Sequence, residues 1–162
     1  MPKRYRLRTW LRTHTPYAIS DRIEKGSGDC GAHEWYLSEG STWRCYHCAA
    51  GVREMPRVPW AELAGVLHDA VLDLDTVSTE AGLTVHGLRY VPGPDRWSRA
   101  RKVPFVLRVE RASDVVVEDP AAIRTVVVAE VLREGTSVVV TSAAVGSLRF
   151  TSPDDGAEVV PP

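Results

Sequence analysis

Three cysteines and one histidine constrain this chain more than any other feature of its sequence. Cys45 and Cys48 form a C-x2-C pair, and Cys30 and His33 form a C-x2-H pair that ends eleven residues before it. An x2 spacing lets two side chains of one tight turn reach the same ion, so two such turns supply four ligands. Three thiolates and an imidazole make a complete tetrahedral set for Zn²⁺. The spacing therefore predicts a structural zinc ion on Cys30, His33, Cys45 and Cys48. His47 is the competing imidazole, and its place inside the second turn predicts that it points outward. A disulfide between Cys30 and Cys45 would strand Cys48. The N-terminus is charged and no apolar stretch follows it, so nothing reads as a secretory signal. An odd cysteine count in that setting favours reduced thiols and a metal.

The segment between the two pairs reads as an aromatic strand, a turn and a second strand: Glu34-Trp35-Tyr36-Leu37, Ser38-Glu39-Gly40-Ser41, then Thr42-Trp43-Arg44. A hairpin with a ligand pair at each base is the layout of a zinc ribbon, and residues 28 to 51 resemble that broad class. The resemblance implies a metal-stapled hairpin. It does not choose among nucleic-acid binding, protein docking and plain stapling, all of which zinc ribbons serve.

Catalytic signatures are sparse. A zinc deaminase requires H-x-E and then P-C-x-x-C, whereas here Glu34 directly follows His33 and Arg44 precedes Cys45. Four protein ligands also leave no open position for a water. No nucleophile elbow, phosphate-binding glycine loop or H-E-x-x-H occurs. An HNH-type nuclease needs an asparagine, and the chain contains none. The expectation is a protein that is not an enzyme.

At 162 residues the chain can form one domain with a core, or two small units. The formal net charge is -1, so nothing global points to nucleic acid. The distribution is less even: residues 1 to 25 hold seven Lys or Arg against two acids. No apolar run approaches membrane-spanning length, and a soluble, cytoplasmic protein is expected. Two basic and aromatic clusters stand out. One is Arg4, Arg6, Arg8, Trp10 and Arg12. The other is Arg96, Trp97, Arg99, Arg101 and Lys102, at the tip between two strands. Both suit phosphate contact with base stacking, although most surface charge is only solvated. The leading expectation is a zinc-stabilised accessory or regulatory protein that binds DNA or RNA. The alternative is an adaptor, such as a phage or mobile-element factor, docking on a larger enzyme. Its contact surface would be Trp35, Tyr36, Trp43 and Tyr46, since aromatics dominate interface hot spots.

The expected architecture is α+β: a zinc ribbon-like hairpin, then a valine-rich, mostly antiparallel sheet with about two helices. Residues 1–57 would carry the basic segment and the ribbon, 58–151 the α+β domain, and 152–162 a frayed tail. Residues 3–12 read better as a strand than as a helix. Thr15-Pro16 opens a short helix with Thr15 as its cap. A longer helix begins at Pro59, its stripe running through Trp60, Leu63, Ala64, Leu67, Ala70, Val71 and Leu74. Strands are expected at 83–91, 103–111, 115–118 and 138–140, and at 148–151. Punctuation by Asp119-Pro120 and Gly135 predicts a helix between them, against the strand propensity of Val126-Val127-Val128.

Overall fold

The computed structural model describes residues 2–20, 22–39, 41–91, 101–142 and 145–162. The chain divides into two units, the first formed by 1–55 with 91–101, the second by 56–90 with 102–162. The α+β class holds, with a small N-terminal antiparallel sheet and a larger, mostly antiparallel one.

The first unit opens with α1 (Pro2–His14), where a strand was expected. Burial explains the outcome. Thr9 and Arg12 are the residues that turn inward, and their separation of three follows the helical period, whereas strand alternation would have put them on opposite faces. Then comes α2 (Tyr17–Ser20), a single turn whose Ile19 and Ser20 amides donate to Pro16 O at 2.8 and 2.9 Å. Thr15 is not its cap. The Thr15 hydroxyl donates back to Leu11 O at 2.7 Å, closing the end of α1. The hairpin forms as expected from β1 (Trp35–Glu39) and β2 (Thr42–Cys45), and β3 (Val52–Glu54) adds a third strand in the order β1-β2-β3.

The second unit is built on β4 (Val58–Pro59), α3 (Trp60–Val66), β5 (Val71–Ser78), β6 (Leu83–Val91), β7 (Arg101–Val109), β8 (Ser113–Glu118), β9 (Thr125–Glu134), β10 (Ser137–Ser142), β11 (Ser147–Thr151) and β12 (Gly156–Val160). The sheet order is β4-β12-β7-β6-β5-β9-β10-β11-β8. Three expectations are corrected here. The helix from Pro59 stops at Val66, and Asp69 turns the chain with φ 60°. The apolar series continues through Ala70, Val71 and Leu74 because a buried strand takes over, with Leu72 and Leu74 facing inward. The helix expected after Asp119-Pro120 is the ten-residue strand β9. Asp119 does cap, but it caps a turn: its carboxylate accepts the Ile123 and Arg124 amides at 3.0 and 2.7 Å. Gly135, with φ 61°, makes the β9–β10 hairpin turn that ordinary side chains resist, instead of stopping a helix.

The third correction is the C-terminal segment, which was expected to fray. β12 pairs with β7 and β4, and Ala157 and Val159 are buried. The link ahead of it is anchored by Asp154, whose side chain is fully enclosed. Its Oδ1 accepts Arg111 Nε at 2.6 Å and its Oδ2 accepts the Arg111 amide at 3.2 Å. Trp60 Nε1 donates to Asp154 O at 2.7 Å, and the Trp60 ring packs against Phe150. Leu63, Leu72, Leu83, Phe105, Leu107 and Leu148 complete the centre of this core. Each such side chain contributes about 1.5–3 kcal/mol on burial.

Candidate metal centre

The two ligand pairs converge because of backbone bonds around them. Cys30 and His33 lie in the turn before β1, and Cys45 ends β2. The Tyr46 amide donates to Glu34 O at 2.8 Å and the Cys45 amide to Gly51 O at 2.8 Å, which folds the second turn back onto the first. Ahead of the hairpin, Gly26 bridges to Cys48 and accepts the Ala49 amide at 2.9 Å. The donor atoms of Cys30, His33, Cys45 and Cys48 all lie within 4.8 Å of one another. Cys30 Sγ is 3.6 Å from Cys45 Sγ and 3.2 Å from His33 Nδ1, and Cys48 Sγ is 3.6 Å from the same nitrogen. Among the described residues this cluster could hold a metal ion. His33 is the imidazole in it. His47 points elsewhere as expected, with Nε2 3.0 Å from Glu34 Oε2. The His47 amide donates to Cys45 Sγ at 3.2 Å, a contact suited to a thiolate.

The thiols are free and electrostatically coupled. Burial pushes the Cys30 thiol up to about 12, and the neighbouring Cys45 and Cys48 push it the same way by hydrogen bonding and charge. Cys48 moves down instead: burial raises it, but backbone bonds at Cys30 and Gly51 and the adjacent thiols outweigh that. Three thiolates so close together repel one another, and a divalent cation removes that repulsion. The donor set therefore fits a cation as well in charge as in geometry.

Several residues that hold this centre carry no local sequence signal. Arg12, read as a phosphate contact, is buried, and its guanidinium donates to Ser20 O at 2.7 Å, to Ile23 O and to Tyr46 O at 2.8 Å. It ties α1 and α2 to the second metal turn and is corrected from a surface cation to an internal clamp. Lys25 Nζ donates to Cys45 O at 2.6 Å and lies over the Tyr36 ring. Gly51 is buried where a β-carbon would strike the Cys45 and His33 side chains.

The remaining expected residues are distributed as follows. Arg8 is exposed and paired with Glu24 at 2.7 Å. Trp10 is 54% exposed and stacks on His14. Arg101 and Lys102 are exposed at the start of β7, with Lys102 over the Tyr90 ring. Arg96, Trp97 and Arg99 and the side chains of Arg4 and Arg6 lie outside the described residues. Of the ribbon aromatics, Trp43 is fully buried and cannot be a contact surface. Trp35 is stacked under Arg53 and beside His33, and Tyr36 packs on Tyr46. No helix among the described residues is long and apolar enough to cross a membrane. No family model, characterised protein or solved structure matches this chain.

Proposed function

We propose that the chain is a zinc-stabilised, non-enzymatic accessory protein that associates with nucleic acid. Three sulfurs and one imidazole nitrogen suit Zn²⁺ among the common divalent ions. With Zn–S of about 2.3 Å and Zn–N of about 2.0–2.1 Å, a tetrahedral ion sets S···S near ~3.8 Å and S···N near ~3.5 Å. The separations of 3.6 Å between sulfurs and 3.2 to 3.6 Å from sulfur to nitrogen differ from those by a few tenths of an ångström. Four protein ligands close the coordination sphere, so the ion would fold the unit and leave no position for a reacting water.

The nucleic-acid reading is carried by α1. This thirteen-residue helix holds Lys3, Arg4, Arg6, Arg8 and Arg12 with no acid, and Trp10 stands out from it. Arg12 secures the helix from the opposite side. A basic helix on a rigid support with a projecting indole suits phosphate contact and stacking. Leu7 and Ile19, 56% and 53% exposed, support a second reading in which this region docks on a protein.

Gel shifts against duplex DNA and single-stranded RNA at ~50 and ~200 mM salt test the proposal. The double change Arg101→Ala, Lys102→Ala should flatten the log–log salt slope on duplex DNA by about 1.8, at roughly 0.9 per phosphate lost. Trp10→Ala should weaken binding by about 1–3 kcal/mol and leave the slope alone. Absence of binding to both nucleic acids at ~50 mM salt overturns the reading and leaves protein docking.

A further inference from the structure

The ring of His33 offers the sulfurs its Nδ1, at 3.2 Å from Cys30 and 3.6 Å from Cys48. A neutral imidazole that gives Nδ1 to a metal carries its proton on Nε2. That nitrogen is 3.3 Å from Oδ1 of Asp29. The same oxygen accepts the Gly31 amide at 2.8 Å, which anchors the carboxylate within the turn that bears Cys30. We propose that Asp29 is a positioning residue for the metal centre: its carboxylate receives the Nε2 proton and holds His33 in the tautomer and orientation that ligate through Nδ1. The inference rests on the zinc reading above.

The arrangement follows from spacing. Asp29 and His33 are four residues apart and bracket Cys30, so one turn supplies a sulfur, a nitrogen and the carboxylate behind that nitrogen. A carboxylate on the far nitrogen raises the basicity of the ligating one and removes the ring's rotational freedom before the metal arrives. His47 shows that a carboxylate partner is not sufficient. It faces Glu34 at 3.0 Å, yet it is not among the four clustered donors. Only His33 combines an acceptor behind with sulfurs in front.

The test uses the full chain with Zn²⁺, measuring affinity by competition with a chromophoric chelator and solvent exchange of the His33 Nε2 proton by NMR in the zinc-loaded protein. Asp29→Ala should weaken zinc binding roughly 10- to 100-fold and expose the proton to rapid exchange. Asp29→Asn retains an oxygen for the Gly31 amide, so it separates turn-making from action on the ring. If the carboxylate acts on His33, Asn should still lose affinity several-fold and quicken the exchange. Asp29→Asn matching wild type in affinity and exchange would overturn the proposal, as would an Asp29→Ala protein that binds zinc normally. A wild-type chain that takes up no zinc would overturn both this inference and the zinc reading, whereas normal wild-type uptake with indifferent variants would overturn the role of Asp29 alone.

Discussion

Gly51→Ala should damage the metal centre from a residue that ligates nothing. A β-carbon at position 51 would lie 2.5 Å from Cys45 Cβ and 2.8 Å from His33 Nδ1. Carbon atoms pack at about 3.5–4.0 Å, so roughly 1 Å must open on the side of Cys45, with a comparable shift of the His33 ring. Metal–ligand distances tolerate about 0.2 Å. The backbone cannot simply retreat, because Gly51 O accepts the Cys45 amide at 2.8 Å and backing off would break that bond. Overpacking of this kind costs about 1–3 kcal/mol, and at about 1.4 kcal/mol per tenfold that becomes a roughly 5- to 100-fold loss of zinc affinity. Chelator competition measures it. Gly65→Ala in α3 is the control, since a β-carbon there meets nothing within 4 Å. In a helix that change should add about 0.5–1 kcal/mol of stability and leave zinc affinity unchanged. Wild-type affinity in Gly51→Ala would refute the steric argument.

Cys45→Ser or chelation should raise amide exchange across residues 26–54 and spare the strands from β5 to β12, whose burial involves no metal ligand; simultaneous loss of all protection would contradict this. Arg12→Lys should cost on the order of 2–4 kcal/mol in denaturant unfolding of the first unit, because a single ammonium cannot span the three carbonyls that the guanidinium fork reaches. Asp154 supplies an acid-sensitive contribution. Burial pushes its carboxyl up, but the Arg111 side chain and amide and the Arg57 charge outweigh that and hold it below the usual range. Its stabilisation is complete above pH ~4 and is lost as pH falls through the depressed native value. Asp154→Asn should cost about 1–3 kcal/mol at neutral pH and remove that part of the acid response, as thermal melts at pH 7 and in acid would reveal.

Legibility of the fold tracked how local each signal was. The ligand set could be read because cysteine spacing maps directly onto one turn. The strands β6, β8 and β11 were legible from alternation and turn residues. α1 was not, because Arg4, Arg8 and Arg12 form a stripe at either period, and the deciding partner of Arg12 is Tyr46 O, 34 residues away. The segment after Asp119 carried two opposed signals, and the valines prevailed over the punctuation once β5 and β10 flanked them. The overlong helix from Pro59 arose because Ala70, Val71 and Leu74 are apolar for a strand that happens to continue the helical phase. Asp29 and Gly51 act through space on His33, so nothing in their own neighbourhood in sequence announces it.

The position of β12 between β4 and β7 also has a bearing on synthesis. The four metal donors have all been made by residue 48, whereas β4 must wait for a partner almost a hundred residues later. Pairings across such separations are slow to form and leave partly built sheets exposed. During translation the metal turns can therefore close early. The second unit stays an open sheet, with Val58 and Leu107 lacking their β12 neighbours, until residue 160 has left the ribosome. Pausing or premature termination shortly before that point would yield a chain with a competent metal site and an aggregation-prone remainder.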